Sequence, residues 1–293
     1  MTPASPSIRD AGPLRGPGVP RSPGSGHPGA AGRISLAGIV HRYSEDEPPV
    51  LDDLSLAIEP GEFVCLVGPS GCGKTTLLKL IAGFEFPEGG QVVVDGAPVT
   101  RPGGDRAVVF QHSNLFPWLS VRGNVELGPK LAGVGRAERR EIADGLLEMV
   151  GLADAADKKT WELSGGMQQR CAIARALATD PAIVLMDEPF GALDAITRER
   201  LQDEMLEIWR RSRATVLFVT HGVDEALYLG TRVVAMGDRP GRIKLDLPIG
   251  SFGAETGGDV RRSVRDTTEF LDLKRRVRDT IANSGKEEEN ELN

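Results

Sequence analysis

Eight consecutive residues, Gly68-Pro69-Ser70-Gly71-Cys72-Gly73-Lys74-Thr75, constrain this chain of 293 residues more than any other feature. They fit the pattern G-x-x-x-x-G-K-[ST]. Glycines at that spacing let successive backbone N–H groups turn inward as an anion nest, and a helix that follows adds the positive end of its dipole. The motif therefore demands strand, loop and helix in that order. An apolar strand is expected at 62–67 and a helical run at Thr76–Ala82, so the demand is met on both sides. Lys74 is then expected to reach the β- and γ-phosphates of a nucleoside triphosphate and the Thr75 hydroxyl to ligate Mg²⁺, with Thr76 in the same cradle.

The rest of the chain repeats this alternation. Phe63–Val67, Gln91–Asp95, Ala107–Phe110, Ile183–Asp187, Val216–Thr220 and Arg232–Met236 read as strands, several of them nearly continuous apolar runs. Such runs are expected of central strands covered on both faces. Helical spacing appears at Ile142, Leu146, Met149 and Val150, and at Leu201, Met205, Ile208 and Trp209. An α/β core follows.

A second chemical anchor is Ile183-Val184-Leu185-Met186-Asp187-Glu188. Its apolar residues bury a strand beneath a terminal carboxylate, Asp187, suited to hold Mg²⁺ directly or through water. Glu188, one residue later, is placed to polarise an attacking water. Small-molecule kinases and GTPases share these two elements, so they do not by themselves fix the reaction.

Between the anchors lies Leu163-Ser164-Gly165-Gly166-Met167-Gln168-Gln169-Arg170. This stretch resembles the L-S-G-G-Q signature of the ATP-binding cassette (ABC) family, with Met167 in place of the glutamine. Ser164, Gly165 and Gly166 stand at the expected start of a helix Met167–Ala178, a second phosphate-binding helix terminus. The resemblance implies its use: two copies pair head to tail, each signature closing over the ATP in its partner's P-loop. It also implies further roles. Tyr43, 25 residues before Gly68, resembles the aromatic that stacks on adenine. Gln111 resembles the glutamine that senses Mg²⁺ and the attacking water, Asp194 the loop aspartate that signals across the dimer, and His221 the switch histidine at the γ-phosphate. Gly222 stands where the family often has aspartate, and Thr160-Trp161 departs from its usual aromatic-proline pair.

The fold implied is an α/β P-loop NTPase with a RecA-like core, a small antiparallel β subdomain and an inserted helical subdomain near 112–164, the cassette covering 34–245. Met167, Phe190–Ala195, Pro117-Trp118-Leu119-Ser120 and Arg239-Pro240-Gly241-Arg242-Ile243 together resemble the nitrate, sulfonate, taurine and bicarbonate importers. The resemblance thus implies an ATPase using ATP and Mg²⁺, bound to transmembrane permease subunits and served indirectly by an extracytoplasmic solute-binding protein. Phe116-Pro117-Trp118-Leu119 lies where such cassettes receive the permease. A soluble cassette ATPase of repair or translation is the alternative, against which stand a single P-loop and the lack of sustained heptads. An unrelated P-loop kinase would leave the signature and His221 without purpose.

Composition sets the remaining expectations. With 35 basic against 42 acidic residues the net charge is −7, which argues against nucleic acid as the main partner. No apolar run approaches the length that spans a bilayer, so a place at the cytoplasmic face of the membrane is expected to be peripheral. Three cysteines without paired spacing suit a reducing compartment. Residues 1–33 hold 7 of the 20 prolines and 7 of the 36 glycines and read as a disordered leader without a signal sequence. Residues 246–293 read as an extension with one amphipathic helix, its apolar face Phe270, Leu273, Val277 and Ile281, and an acidic tail from Lys286.

Overall fold

Alternation of side chains builds the centre of the molecule. In the strands β3 (Phe63–Val67), β7 (Ile183–Asp187) and β8 (Thr215–Val219) every residue is buried. Phe63, Cys65, Val67, Val184, Met186, Val216 and Phe218 join one apolar cluster, and Val64, Leu66, Ile183, Leu185, Leu217 and Val219 join another on the opposite face. Period-two side chains between two helical layers account for the unbroken apolar runs. Burying one such side chain stabilises by about 1.5–3 kcal/mol. The computed structural model describes residues 32–191, 193–249, 265 and 267–291, with side chains as far as 283.

These strands belong to a six-stranded sheet, completed by β6 (Arg106–Val109), β9 (Arg232–Met236) and β10 (Ile243–Pro248), in the order β10-β9-β3-β8-β7-β6. Every pair is parallel except β10 with β9. The strands expected from sequence are all present, with ends displaced by a residue or two. A second, antiparallel sheet runs β2-β1-β4-β5, from β1 (Ile34–His41), β2 (Leu51–Ile58), β4 (Gly89–Val94) and β5 (Ala97–Pro98). Helix α1 (Lys74–Ala82) lies between the sheets, its Leu77, Leu78, Leu80 and Ile81 sharing one cluster with Ile34, Leu36, Leu54 and Ile58. The chain is already engaged at Gly32, whose N–H donates to Asp95 at 2.8 Å; the leader expected before it lies outside the described residues.

Helices α2 (Val121–Leu131), α3 (Arg136–Met149) and α4 (Gly165–Leu177) enclose a third cluster, including Val121, Val125, Leu147, Cys171 and Ala174. Helix α4 also meets the core through Ile173 and Ala176. Both α1 and α4 begin two residues earlier than their apolar periodicity indicates, because lysine and glycine carry no apolar signal. Helices α5 (Ala195–Ser212) and α6 (Val223–Leu229) cover one face of the large sheet. Helix α7 (Thr268–Glu291) adds Phe270 and Val277, with Leu273 and Ile281 beside them, as its spacing predicts. It runs on to Glu291 through the stretch expected to be a tail. Among the described residues no helix is long and apolar enough to cross a membrane.

Candidate functional site: a phosphate cradle at the carboxyl edge of the sheet

Four neighbouring strands, β6, β7, β8 and β3, deliver the site residues from their carboxyl ends. Gln111 follows β6, Glu188 follows β7, His221 follows β8 and the P-loop follows β3. Loops at the carboxyl ends of parallel strands are where open α/β sheets bind ligands.

The loop 68–73 closes on itself through Lys74, whose Nζ donates to the carbonyls of Gly68 at 2.9 Å and Pro69 at 2.7 Å. Lys74 is buried, so its charge is held inside the cradle rather than in solvent. Gly73, at φ +96°, occupies the left-handed region, and a Cβ there would sit 2.6 Å from Leu51. No side chain caps α1, which leaves its first N–H groups free of competition for an anion. Behind the loop, a Cβ on Gly241 would lie 2.0 Å from the Cys72 carbonyl. Sequence reading used Gly241 only as a mark of resemblance; only the fold reveals it pressed against the cradle. Burial raises the Cys72 thiol, which keeps it protonated beside Lys74.

Thr75 donates its hydroxyl to Asp187 at 3.1 Å, bridging the start of α1 and the end of β7. Burial pushes the Asp187 carboxyl above the usual range, partly offset by that hydroxyl. A carboxylate that pays desolvation beside a hydroxyl is a ready donor pair for a hard cation. Two oxygen donors fit Mg²⁺, which takes most of its shell from water and phosphate; among the described residues no cluster of three or more His, Cys, Asp or Glu offers an alternative protein cage.

Glu188 adopts φ +45°, a left-handed conformation worth about 1–3 kcal/mol of strain in a non-glycine residue. Its carboxylate Oε2 receives Gln111 Nε2 at 3.5 Å and lies 3.3 Å from His221 Nδ1. Three residues from three strand ends thus meet at one oxygen, next to the Asp187–Thr75 pair.

Tyr43, in the loop between β1 and β2, is half exposed; its hydroxyl lies 2.9 Å from the Thr76 hydroxyl and Lys79 Nζ sits 5.8 Å from its ring centre. The signature residues stand elsewhere. Ser164 is exposed and accepts from Met167 N–H at 3.3 Å, capping α4. A Cβ on Gly165 would meet nothing within 4 Å, whereas one on Gly166 would come 3.0 Å from Leu193. Asp194 caps α5 by accepting from Thr197 N–H at 3.0 Å. That Thr197 N–H holds the Asp194 carboxyl below its ordinary value.

Sequence reasoning missed the residues that shape the loop after Gln111. Asn124, fully buried on α2, accepts from Phe116 N–H at 2.8 Å and donates to the carbonyls of Phe116 and Ser120 at 3.2 and 3.0 Å. Arg175 on α4 donates to the carbonyls of Asn114 at 2.7 Å and Ser113 at 3.1 Å, and its guanidinium covers the Phe116 ring at 5.3 Å. An asparagine inside a helical stretch carries no signal of such work.

Comparison with known proteins agrees with this arrangement. Residues 51–191 match the family described as ABC transporter. The chain is 48% identical over 247 residues to the taurine import ATP-binding protein TauB of Chromobacterium violaceum, covering 84% of this chain and 93% of that protein. It is 51% identical over 245 residues to an ATP-binding protein of Brucella abortus, covering 84% and 92%. Among solved structures it resembles a dimeric bacterial ABC transporter cassette, with TM-score 0.68, 35% identity and coverage of 74% of this chain and 98% of that one. A dimeric post-hydrolysis cassette bound to ADP and Pi gives TM-score 0.66 at 33% identity, covering 74% and 98%. Likeness of this extent, over nearly the whole of its relatives, places the chain in the ABC transporter family.

Proposed function

We propose that this chain is the ATP-hydrolysing, energy-coupling subunit of an ABC importer for taurine, a sulfonate, nitrate or a similar small anion. The observation that carries the chemistry is the meeting of Gln111 and His221 on Glu188 Oε2, one residue from Asp187 and its Thr75 partner. Relatives named for taurine import support the physiological side and speak against a repair or translation role.

In this reading the cradle 68–75, with Thr76, holds the phosphates of ATP, and the exposed Tyr43 ring serves as the adenine platform. Thr75 and Asp187 would hold Mg²⁺, with Gln111 beside it; when bound, Mg²⁺ neutralises phosphate charge and fixes phosphate orientation. Glu188 takes the proton from the water that attacks the γ-phosphorus, while the bond to the β,γ-bridging oxygen breaks to leave ADP and phosphate. Gln111 and His221 hold the Glu188 carboxylate, and His221 steadies the γ-phosphate as charge shifts. Ser164, Gly165 and Gly166 close on the nucleotide of a second copy, and Asp194 signals across that pair.

The permease is expected to seat on Phe116–Leu119. Trp118 is 69% exposed beside Phe116, while Asn124 and Arg175 hold the loop in place. A large aromatic displayed on a braced loop suits a small apolar contact. The chain then sits peripherally at the cytoplasmic face, with 34–245 as the cassette and 246–293 as an extension.

Copurification tests the proposal. The tagged full chain, recovered from gently solubilised native membranes, should bring with it a polytopic permease in stoichiometric amount and release phosphate from Mg·ATP. Recovery only from the soluble fraction, bound to nucleic acid or ribosomes, would overturn the importer reading.

A further inference from the structure

His221 is exposed, and its ring is 69% accessible, so packing does not hold it in place. Apart from its contact with Glu188 at 3.3 Å, its direction depends on the backbone of Thr220 and Gly222. Beyond the bonds from Thr220 N–H to the Leu66 carbonyl at 3.1 Å and from Ala226 N–H to the Gly222 carbonyl at 3.0 Å, one side chain braces that backbone. Thr220, 2% exposed, donates its hydroxyl to Glu225 Oε2 at 2.5 Å and accepts from Gly222 N–H at 3.0 Å. The hydroxyl hydrogen has a single destination; because Glu225 takes it, the oxygen lone pairs are turned toward Gly222. The two bonds also polarise one another.

Glu225 is in turn held from outside α6. Its Oε1 accepts from Gln202 Nε2 at 2.9 Å, and Gln202, 3% exposed on α5, accepts through Oε1 from Arg265 Nη2 at 3.1 Å. Arg265 also pairs with Glu199 at 3.2 Å and lies over the Tyr228 ring at 4.1 Å. Three residues beyond His221, Asp224 receives Lys274 of α7 at 2.7 Å and Arg278 at 3.6 Å. Contacts between side chains therefore link the loop of His221, the helix α5 that Asp194 caps, and the C-terminal extension.

We propose that Glu225 is a positioning residue for His221, and that the C-terminal extension sets its geometry through Arg265 and Gln202. The inference rests on His221 acting at the γ-phosphate. Nucleotide affinity belongs to the P-loop and Tyr43, which this network does not touch. Loosening it should lower turnover without weakening ATP binding.

Hydrogen-bond chemistry supplies a sharp test. Glu225 accepts twice, so Glu225→Gln can accept from Thr220 only by pointing its amide at the donor of Gln202. Rotating Gln202 would then turn its own amide donor onto Arg265. In the double exchange Glu225→Gln/Gln202→Glu every donor again has an acceptor and the charge is conserved. Steady-state ATPase kinetics of the full chain are measured for both, with thermal unfolding alongside and with each change repeated in a His221→Ala background. The expected result is a fall in kcat of about tenfold for Glu225→Gln at a KM within about twofold of the parent. The double exchange should recover it, and His221→Ala should show no further loss when Glu225→Gln is added. Arg265→Ala should lower kcat by less. If Glu225→Gln does not fold, Thr220→Val, which exchanges the hydroxyl for a methyl group, should show the same split between kcat and KM. An unchanged kcat, a failure of the double exchange to recover it, or losses that multiply in the His221→Ala background would overturn the positioning role. Parent turnover in His221→Ala itself would overturn the reading beneath it.

Discussion

Two helices of this protein begin at glycine-rich turns, and the proposed function gives both N-termini a phosphate, yet they are built in opposite ways. Helix α1 is preceded by Gly73 at φ +96°, has no side-chain cap, and is hemmed in by Leu51, Val50 and, across the loop, Gly241. Helix α4 is preceded by Ser164 at φ −65°, is capped by that serine's own hydroxyl, and opens at Gly165 onto empty space. The first is shaped by residues far away in sequence and uses a backbone conformation that only glycine adopts freely. The second is capped by its own serine, with Gly166 against Leu193, and no residue at its start takes a positive φ. On the proposed reading, a phosphate site that the chain completes is paired with one that a second copy completes.

The largest effect that can break this contrast is on turnover. If the chemistry belongs to the P-loop side and the signature only closes over it, Glu188→Gln should cut ATP hydrolysis by about 10²–10⁴-fold. ATP should remain bound, and the variant should accumulate as a dimer in size-exclusion chromatography. Parent turnover would remove the base assignment. Next in size is Lys74→Ala, which leaves the carbonyls of Gly68 and Pro69 without their buried cation. Titration with a fluorescent ATP analogue should show affinity lower by about tenfold or more, since hydrogen bonds to charged groups contribute about 1.5–3 kcal/mol. Ser164→Ala should leave that monomer affinity unchanged and lower only the ATP-dependent dimerisation. Equal losses from both would mean that α4 already serves its own chain's nucleotide.

Stability separates the two turns more finely. Gly73→Ala places a Cβ in the left-handed region and 2.6 Å from Leu51, and urea unfolding should show a loss of about 1–3 kcal/mol or more. Gly165→Ala introduces a better helix former into open space, so its stability should be unchanged or slightly higher. A destabilised Gly165→Ala would show that α4 is supported by contacts of the same long-range kind as α1.

This contrast also explains what could be read from sequence. Local patterns were legible: the P-loop, the acidic end of β7, the apolar strands, and the face of Phe270, Leu273, Val277 and Ile281. Each depends on residues close together in the chain or on a simple period. The antiparallel strands β1 and β2 were expected only through family resemblance, because their mixed polar pattern is weak. Glu188 was found by its place after Asp187, but its left-handed backbone is imposed by the loop that follows β7. Gly241 against Cys72, Asn124 within the loop at Phe116, and Arg265 on Gln202 join residues far apart or of unremarkable type. Only the fold brings them together.

The smallest effect concerns the cap on the signature side of the molecule. Asp194 is exposed, and the Thr197 N–H lowers its carboxyl below the ordinary value. A folded-state value below the unfolded one means the unfolded chain binds more protons across the interval between them, so stability rises with pH there and is level above it. Asp194→Asn keeps a side chain that caps well but removes the titration. In the ATP-free chain its unfolding midpoint should lie slightly below the parent's at neutral pH, and the two should converge as pH falls through the depressed Asp194 value. If the cap is purely local, ATP should leave that small gap unchanged in the chain that keeps Lys74 as well as in a Lys74→Ala background, where the nucleotide is held more weakly. A gap that ATP widens only when Lys74 is present would mean that the signature side of the molecule responds to loading of the P-loop.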